Sequence, residues 1–230
     1  MADAIDFSGF PKGCVKFFRD LAAHNTKAWY EGHKEEYERF VKTPAVQFVV
    51  AVGDRLRAIA PDIHAEPAIN KSIFKINRDV RFSADKSPYK AYLGIWLWEG
   101  QGPRMECSGF YLHVEPPRIQ LGAGIYMFSK TALDQFRRAV VDAQRGPELT
   151  RVAAALEKAG YPLGGSYYKK APAGYDPQHA NARFLLYNGL YATDESPIPQ
   201  EFYSRKFIDY CVRRYNVMAP LHSWLKGIIK

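Results

Sequence analysis

The stretch Gly109-Phe-Tyr-Leu-His-Val-Glu-Pro-Pro-Arg-Ile-Gln-Leu-Gly-Ala-Gly-Ile125 decides the fold class. Phe110, Leu112 and Val114 before the two prolines, and Ile119 and Leu121 after them, alternate with other residue types, the period of a half-buried strand. Pro116 and Pro117 have no backbone N–H and force a turn. The sequence therefore predicts an antiparallel hairpin of Gly109–Glu115 with Arg118–Ile125. A two-residue turn sets its register, with His113 opposite Gln120, Tyr111 opposite Gly122 and Gly109 opposite Gly124. One face then carries Tyr111, His113, Glu115, Arg118 and Gln120 over a floor of glycines. That floor leaves room for a ligand or another backbone to approach closely.

Outward from the hairpin, strands are predicted near Ser72–Asn77 and Ala91–Trp98, and both faces of the second are apolar or aromatic. Three helices are predicted before them: one opened by Pro11 and ending near His24, a second capped by Thr26 and running to about Phe40, and a third begun by Pro44 and stopped by Pro61. After the hairpin, helices are expected at about Ser129–Gln144 and Pro147–Ala159, the latter ended by Gly160. Residues 161–199 read as irregular around a short helix near Ala180–Tyr187. Two closing helices follow, about Gln200–Tyr215 and Ala219–Ile229. The expectation is an α+β fold with a mainly antiparallel sheet of about four to six strands, flanked by N-terminal, middle and C-terminal helices. It is read as one domain over 1–230, helical to 60, strand-rich over 66–126 and helical over 129–230.

Composition sets limits. The chain has 230 residues, 47% hydrophobic and 24% charged, enough apolar matter for a packed core. No apolar run approaches the eighteen or so residues of a membrane span, so no membrane role is expected. The start, Met1-Ala-Asp-Ala-Ile-Asp-Phe-Ser, shows no basic and apolar signal pattern, which points to a cytoplasmic location. Cys14, Cys107 and Cys211 stand far apart without a C-x-x-C pair, which argues against a disulfide framework or a zinc site. No His spacing suits a metal, and Gly122-Ala-Gly124 lacks the setting of a dinucleotide fingerprint. Neither a metal nor a cofactor is expected, and the oligomeric state is left open.

The net charge is +8, and its distribution matters more than its size. Ile69 to Lys90 reads INKSIFKINRDVRFSADKSPYK, and its Lys71, Lys75, Arg78, Arg81, Lys86 and Lys90 against Asp79 and Asp85 leave a net +4. Ile73, Phe74, Ile76, Val80, Phe82 and Tyr89 interleave with these charges, so the backbone is anchored to a core. Ser83-Ala-Asp-Lys-Ser-Pro88 is turn-forming. A rigid loop with Arg forks and Lys points suits phosphate or carboxylate recognition. The same residues also suit an internal ion-pair network that braces the loop, or a nucleic-acid surface.

The run Phe74-Lys-Ile-Asn-Arg-Asp-Val-Arg-Phe-Ser-Ala-Asp-Lys-Ser-Pro-Tyr-Lys90 resembles the hallmark of an uncharacterised bacterial and fungal family, domain of unknown function 2461. Phe7-Ser-Gly-Phe-Pro11, Asn25-Thr-Lys-Ala-Trp-Tyr-Glu-Gly-His-Lys34 with Tyr37 and Pro44, and Gly109-Phe-Tyr-Leu-His-Val-Glu-Pro116 are similar to it too. The chain departs from the pattern at Pro117, Tyr126 and Phe128. The resemblance implies one domain of this size and carries no established activity.

The site expected from these readings joins the basic loop to the polar hairpin face. Arg78, Asp79, Arg81, Asp85, Lys86, Tyr89, Lys90 and Tyr111 are the candidate ligand-binding residues, with the aspartates orienting the cations. His113 and Glu115 are the candidate acid–base pair. The expected ligand is a small anion-bearing molecule, phosphorylated ones included. Two alternatives stand beside it: a nucleic-acid-associated basic protein, and a structural or protein-interaction module without a catalytic site. His33, one turn from Trp29 and Tyr37, reads as core.

Overall fold

The computed structural model describes residues 6–229, so Met1–Ile5, on which the absence of a leader was partly read, lie outside it. Helix α1 spans Lys12–Ala23 and buries Cys14, Val15, Phe17, Phe18 and Leu21 on one face. Thr26 caps α2, Lys27–Gly32, by accepting from the Trp29 amide. His33 interrupts the helix. α3, Lys34–Tyr37, then passes through a π-helical turn, Glu38–Lys42, directly into α4, Thr43–Leu56. Pro44 was expected to open a separate helix and instead lies inside this continuous run. Its ring would crowd the carbonyl one turn upstream, and the wider π turn before it makes room for a residue with no N–H to donate.

Strands β1 (Ile63–His64), β2 (Leu93–Glu99), β3 (Ser108–Glu115) and β4 (Arg118–Ile125) follow. Every residue of β2 is buried, as its two apolar faces foretold. In β3 and β4 burial alternates up to the turn: Phe110, Leu112, Val114, Ile119 and Leu121 face the core, while Tyr111, His113 and Gln120 are half-buried. Ser72–Asn77 is not a regular strand. Its backbone meets β2 through the Ile73–Ile95 bridge and the Phe74–Gly94 and Trp96–Ser72 bonds, after a turn in which Asn70 holds φ at 66°.

Helices α5 (Lys130–Val141), capped by Ser129, and α6 (Arg145–Lys158) follow the hairpin. The region read as irregular contributes two strands, β5 (Leu163–Ser166) and β6 (Tyr187–Pro197), which pair antiparallel on either side of a 3-10 turn at Ala182–Leu186. β6 hid because only Gly189, Leu190 and Ala192 of its residues are buried, and its polar end is held by Arg214–Asp194 and Arg118–Glu195 ion pairs. The expected pair of closing helices is one 3-10 turn, Gln200–Tyr203, and a single helix α7, Lys206–Ile228, with Pro220 inside it. Burial of Met218, Leu221, Trp224 and Leu225 around Pro220 keeps that helix continuous despite the missing donor.

The fold is α+β, with a six-stranded antiparallel sheet in the order β1-β2-β3-β4-β6-β5. The residues group into two compact units, each drawn from three stretches of chain. The unit of residues up to Leu97, 111–121 and 195–213 is centred on Phe7, Phe10, Phe48, Phe202 and Phe207, with Phe10 stacked on Phe202 at 4.7 Å. The unit of residues 98–110, 122–194 and 214–229 is built on Phe128, Phe136 and Trp224, with Phe110 packed on Tyr215 at 5.1 Å. No helix among the described residues is long and apolar enough to cross a membrane.

Candidate functional site

The alternation of β3 puts Tyr111, His113 and Glu115 in a row on one face, and their side chains join into a chain of hydrogen bonds. Tyr111 Oη lies 3.0 Å from His113 Nδ1, and His113 Nε2 lies 3.1 Å from Glu115 Oε2. With Nε2 protonated, the imidazole donates to the carboxylate and accepts the Tyr111 hydroxyl at Nδ1. Both ring nitrogens are thus engaged. Glu115, whose side chain is 60% exposed against 21% for His113, is the member that meets solvent. The chain ends in a cleft of about 370 Å³ lined by His113, Glu115, Pro116, Pro117, Arg118, Gln120 and Glu195. Among the described residues, Arg118 has Glu195 as its one ion-pair partner, through Nε. The glycine floor expected of the hairpin is filled at Gly124, where a Cβ would lie 2.3 Å from the Leu190 carbonyl oxygen of β6. Another backbone, not a ligand, occupies that space.

The basic loop is closed and braced by its own contacts, and its charges are turned on one another. An Asn77–Tyr89 bridge and the Arg78 N–Pro88 O bond close its base. Arg78 pairs with Asp85 and reaches Ser83, while Arg81 grips Asp79 with Nε at 2.9 Å and Nη2 at 2.7 Å. Asp85 also accepts from the Ser87 hydroxyl and amide. Those two bonds, and then Arg78, hold its carboxyl well below the usual range. Asp79 is likewise held low, first by the Arg81 side chain. Lys86 and Lys90 donate to the carbonyls of Val80 and Lys75. Tyr89 is buried, stacked on Tyr30 at 4.3 Å, and its backbone is clasped by the Asn25 side chain, which donates to its carbonyl and accepts from its amide.

Tyr92, at the mouth of β2, joins loop to hairpin. Its ring lies 4.3 Å from that of His113, and Lys90 Nζ sits 6.0 Å from its centroid. Burial raises the Tyr92 pKa; the Glu115 carboxylate adds to the rise and Arg78 opposes it. One phenol thus lies within electrostatic reach of both the basic loop and the acid–base row.

A match to the conserved hypothetical protein family, domain of unknown function 2461, spans residues 13–224. The chain belongs to that family. No curated protein and no solved structure matches it. The family run Phe74–Lys90 is the braced loop itself. Asn25, in another family segment, is the residue that clasps its end.

Sequence reasoning did not single out Tyr92 or Glu195 as site residues, nor a buried cluster at the other end of the strands. Glu99 ends β2, Ser108 begins β3, and His222 and Lys226 stand one turn apart on α7. His222 Nε2 is 2.9 Å from Glu99 Oε2 and Nδ1 is 2.9 Å from Ser108 Oγ, while Lys226 Nζ is 2.7 Å from Glu99 Oε1. The order carboxylate, imidazole, hydroxyl is that of a nucleophile relay. Ser108 is only 3% exposed and His222 1%, so the hydroxyl is closed to solvent and the cluster serves packing. Burial holds His222 below its ordinary pKa, hence neutral. The i,i+4 spacing of His222 and Lys226 was the available signal; their partners lie more than a hundred residues away in sequence. His33 stacks on Trp29 at 4.0 Å and bonds its carbonyl, but both side chains are half-buried at the surface and not in the core that was read for His33. Among the described residues no group of three His, Cys, Asp or Glu side chains converges as a metal site.

Proposed function

We propose that this chain is a small-molecule-binding domain, equipped for general acid–base chemistry, whose site is the cleft at the turn of the β3–β4 hairpin. The observation that carries this reading is the Tyr111–His113–Glu115 chain of hydrogen bonds opening into that cleft. Glu115 is the proton acceptor in contact with the ligand. His113, with both nitrogens occupied, is a positioning residue: it donates to the Glu115 carboxylate and is itself held by the Tyr111 hydroxyl. The ligand is a small anion, phosphorylated molecules included. Arg118, tied to Glu195 through Nε alone, offers its terminal nitrogens as a fork. Arg78, committed to Asp85, contributes its field at Tyr92 and not a second fork.

Thermal-shift titration with orthophosphate, pyrophosphate and citrate tests this. A saturating ligand at about 100 times its Kd adds about 2.7 kcal/mol, several degrees in Tm for a chain of this size. The expected result is a rise for the wild type that disappears in Arg118→Ala, whose own Tm stays close to wild type because the side chain is half exposed. No rise with any anion, or an equal rise in Arg118→Ala, would refute the reading. The braced loop favours a second, structural role for Arg78: Arg78→Ala should lower Tm in the absence of ligand.

A further inference from the structure

Phe82 stands apart from the other phenylalanines of this chain. Phe7, Phe10, Phe17, Phe18, Phe48, Phe110, Phe136, Phe184, Phe202 and Phe207 are fully buried, whereas Phe82 is 97% exposed. It does not lie on a frayed segment. It sits in the loop closed by the Asn77–Tyr89 bridge and braced by the Arg78–Asp85, Arg81–Asp79 and Lys86–Val80 contacts. A loop braced in this way holds an aromatic ring in water, and a partner covering the ring would remove that apolar area from solvent.

The charge around the ring specifies that partner. Arg78 and Arg81 are neutralised by Asp85 and Asp79. Lys86 donates to an uncharged carbonyl and has no carboxylate partner among the described residues, and exposed Lys75 adds to its positive charge. The Arg81 guanidinium lies 5.9 Å from the Phe82 ring centroid, a cation beside a π face. A partner that alternates negative charges with flat aromatic surfaces matches this arrangement. In a duplex the base faces are closed to a lone ring, and in a single strand they are open. A membrane fits less well. The neighbours of Phe82 are Arg81, Ser83 and exposed Ala84, and one ring is too little apolar area for a stable anchor.

We infer that the tip of the basic loop is a stacking platform for single-stranded nucleic acid, with Phe82 under a base and Lys75 and Lys86 beside the phosphates. This surface shares no residue with the hairpin cleft, so either reading can fail without the other.

The test is fluorescence anisotropy of labelled oligo-dT and oligo-rA with the full chain at about 50 mM salt and above. Wild type should bind, with affinity falling steeply as salt rises. Phe82→Ala should weaken binding about tenfold at unchanged Tm, since the ring touches little of the fold, and Phe82→Trp should restore it and show Trp quenching on binding. Lys75→Glu should weaken binding and flatten the salt dependence. Equal affinity in Phe82→Ala and wild type would overturn the proposal. So would no binding at low salt, or Phe82-dependent capture by phosphatidylserine vesicles without binding to oligonucleotides.

Discussion

At the scale of single residues, this chain settles its polar groups in two different ways. Glu99 is buried, so its charge is tolerable only because Lys226 and His222 meet it. Glu99→Ala strands a buried imidazole N–H and leaves a cavity, and should lower stability by about 3 kcal/mol. Glu99→Gln keeps an acceptor for His222, while Lys226, 41% exposed, can turn to solvent; about 1 kcal/mol is expected. Urea unfolding of both variants checks the order, and equal loss in the two would mean that charge, not hydrogen bonding, dominates the cluster. Asp79 and Asp85 lie in water, where a carboxylate costs little, and their role is geometric: each fixes an arginine and a turn. Cys14 is inert for a related reason, because burial pushes its thiol up to about 12.

At the scale of elements, the hairpin and the basic loop were legible because each rests on local chemistry. Two prolines between alternating runs leave one turn, and Ser83–Pro88 leaves another. Elements that depend on distant partners were not legible. β6 has few apolar residues, and its Gly189, set against Tyr126, and Gly124 of β4, set against Leu190 and Tyr191, make sense only once the two strands are seen to approach. Pro44 and Pro220 read as helix boundaries because local propensity says so, and tertiary burial overrides it at both. The candidate site divides the same way. The Tyr111, His113, Glu115 row follows from strand period alone, whereas Glu195 arrives from β6 and Tyr92 from the bend before β2. Gly124→Ala tests the close approach. With φ at 136° and a backbone oxygen 2.3 Å from the new Cβ, neither strand can yield cheaply. A loss of about 3 kcal/mol in chemical unfolding is expected, against little change for Gly32→Ala, whose Cβ meets nothing within 4 Å. A Gly124→Ala protein of wild-type stability would mean the strands stand farther apart than described.

At the scale of the whole molecule, these local settlements set how stability responds to acid. His222 is faced by Glu99 from β2, Lys226 from its own helix and Ser108 from β3, and burial keeps its folded pKa below the ordinary 6.5. A depressed folded pKa means that the unfolded chain takes up the proton first. The stabilisation is therefore complete above 6.5 and is lost as pH falls from there toward the folded value. Asp85, held low by Ser87 and Arg78, and Asp79, held low by Arg81, follow the same sign lower on the scale. Their contributions are complete above the ordinary 3.8 and disappear below it. Two stages of acid weakening are thus expected in Tm measured from pH 8 to 3, the first beginning near 6.5. His222→Gln cannot titrate there, so its Tm, lower at neutral pH, should lose the first stage and keep the second. If wild type and His222→Gln fall in parallel between pH 7 and 5, the imidazole is not the group that resists the proton. The weakening would then belong to histidines outside the core.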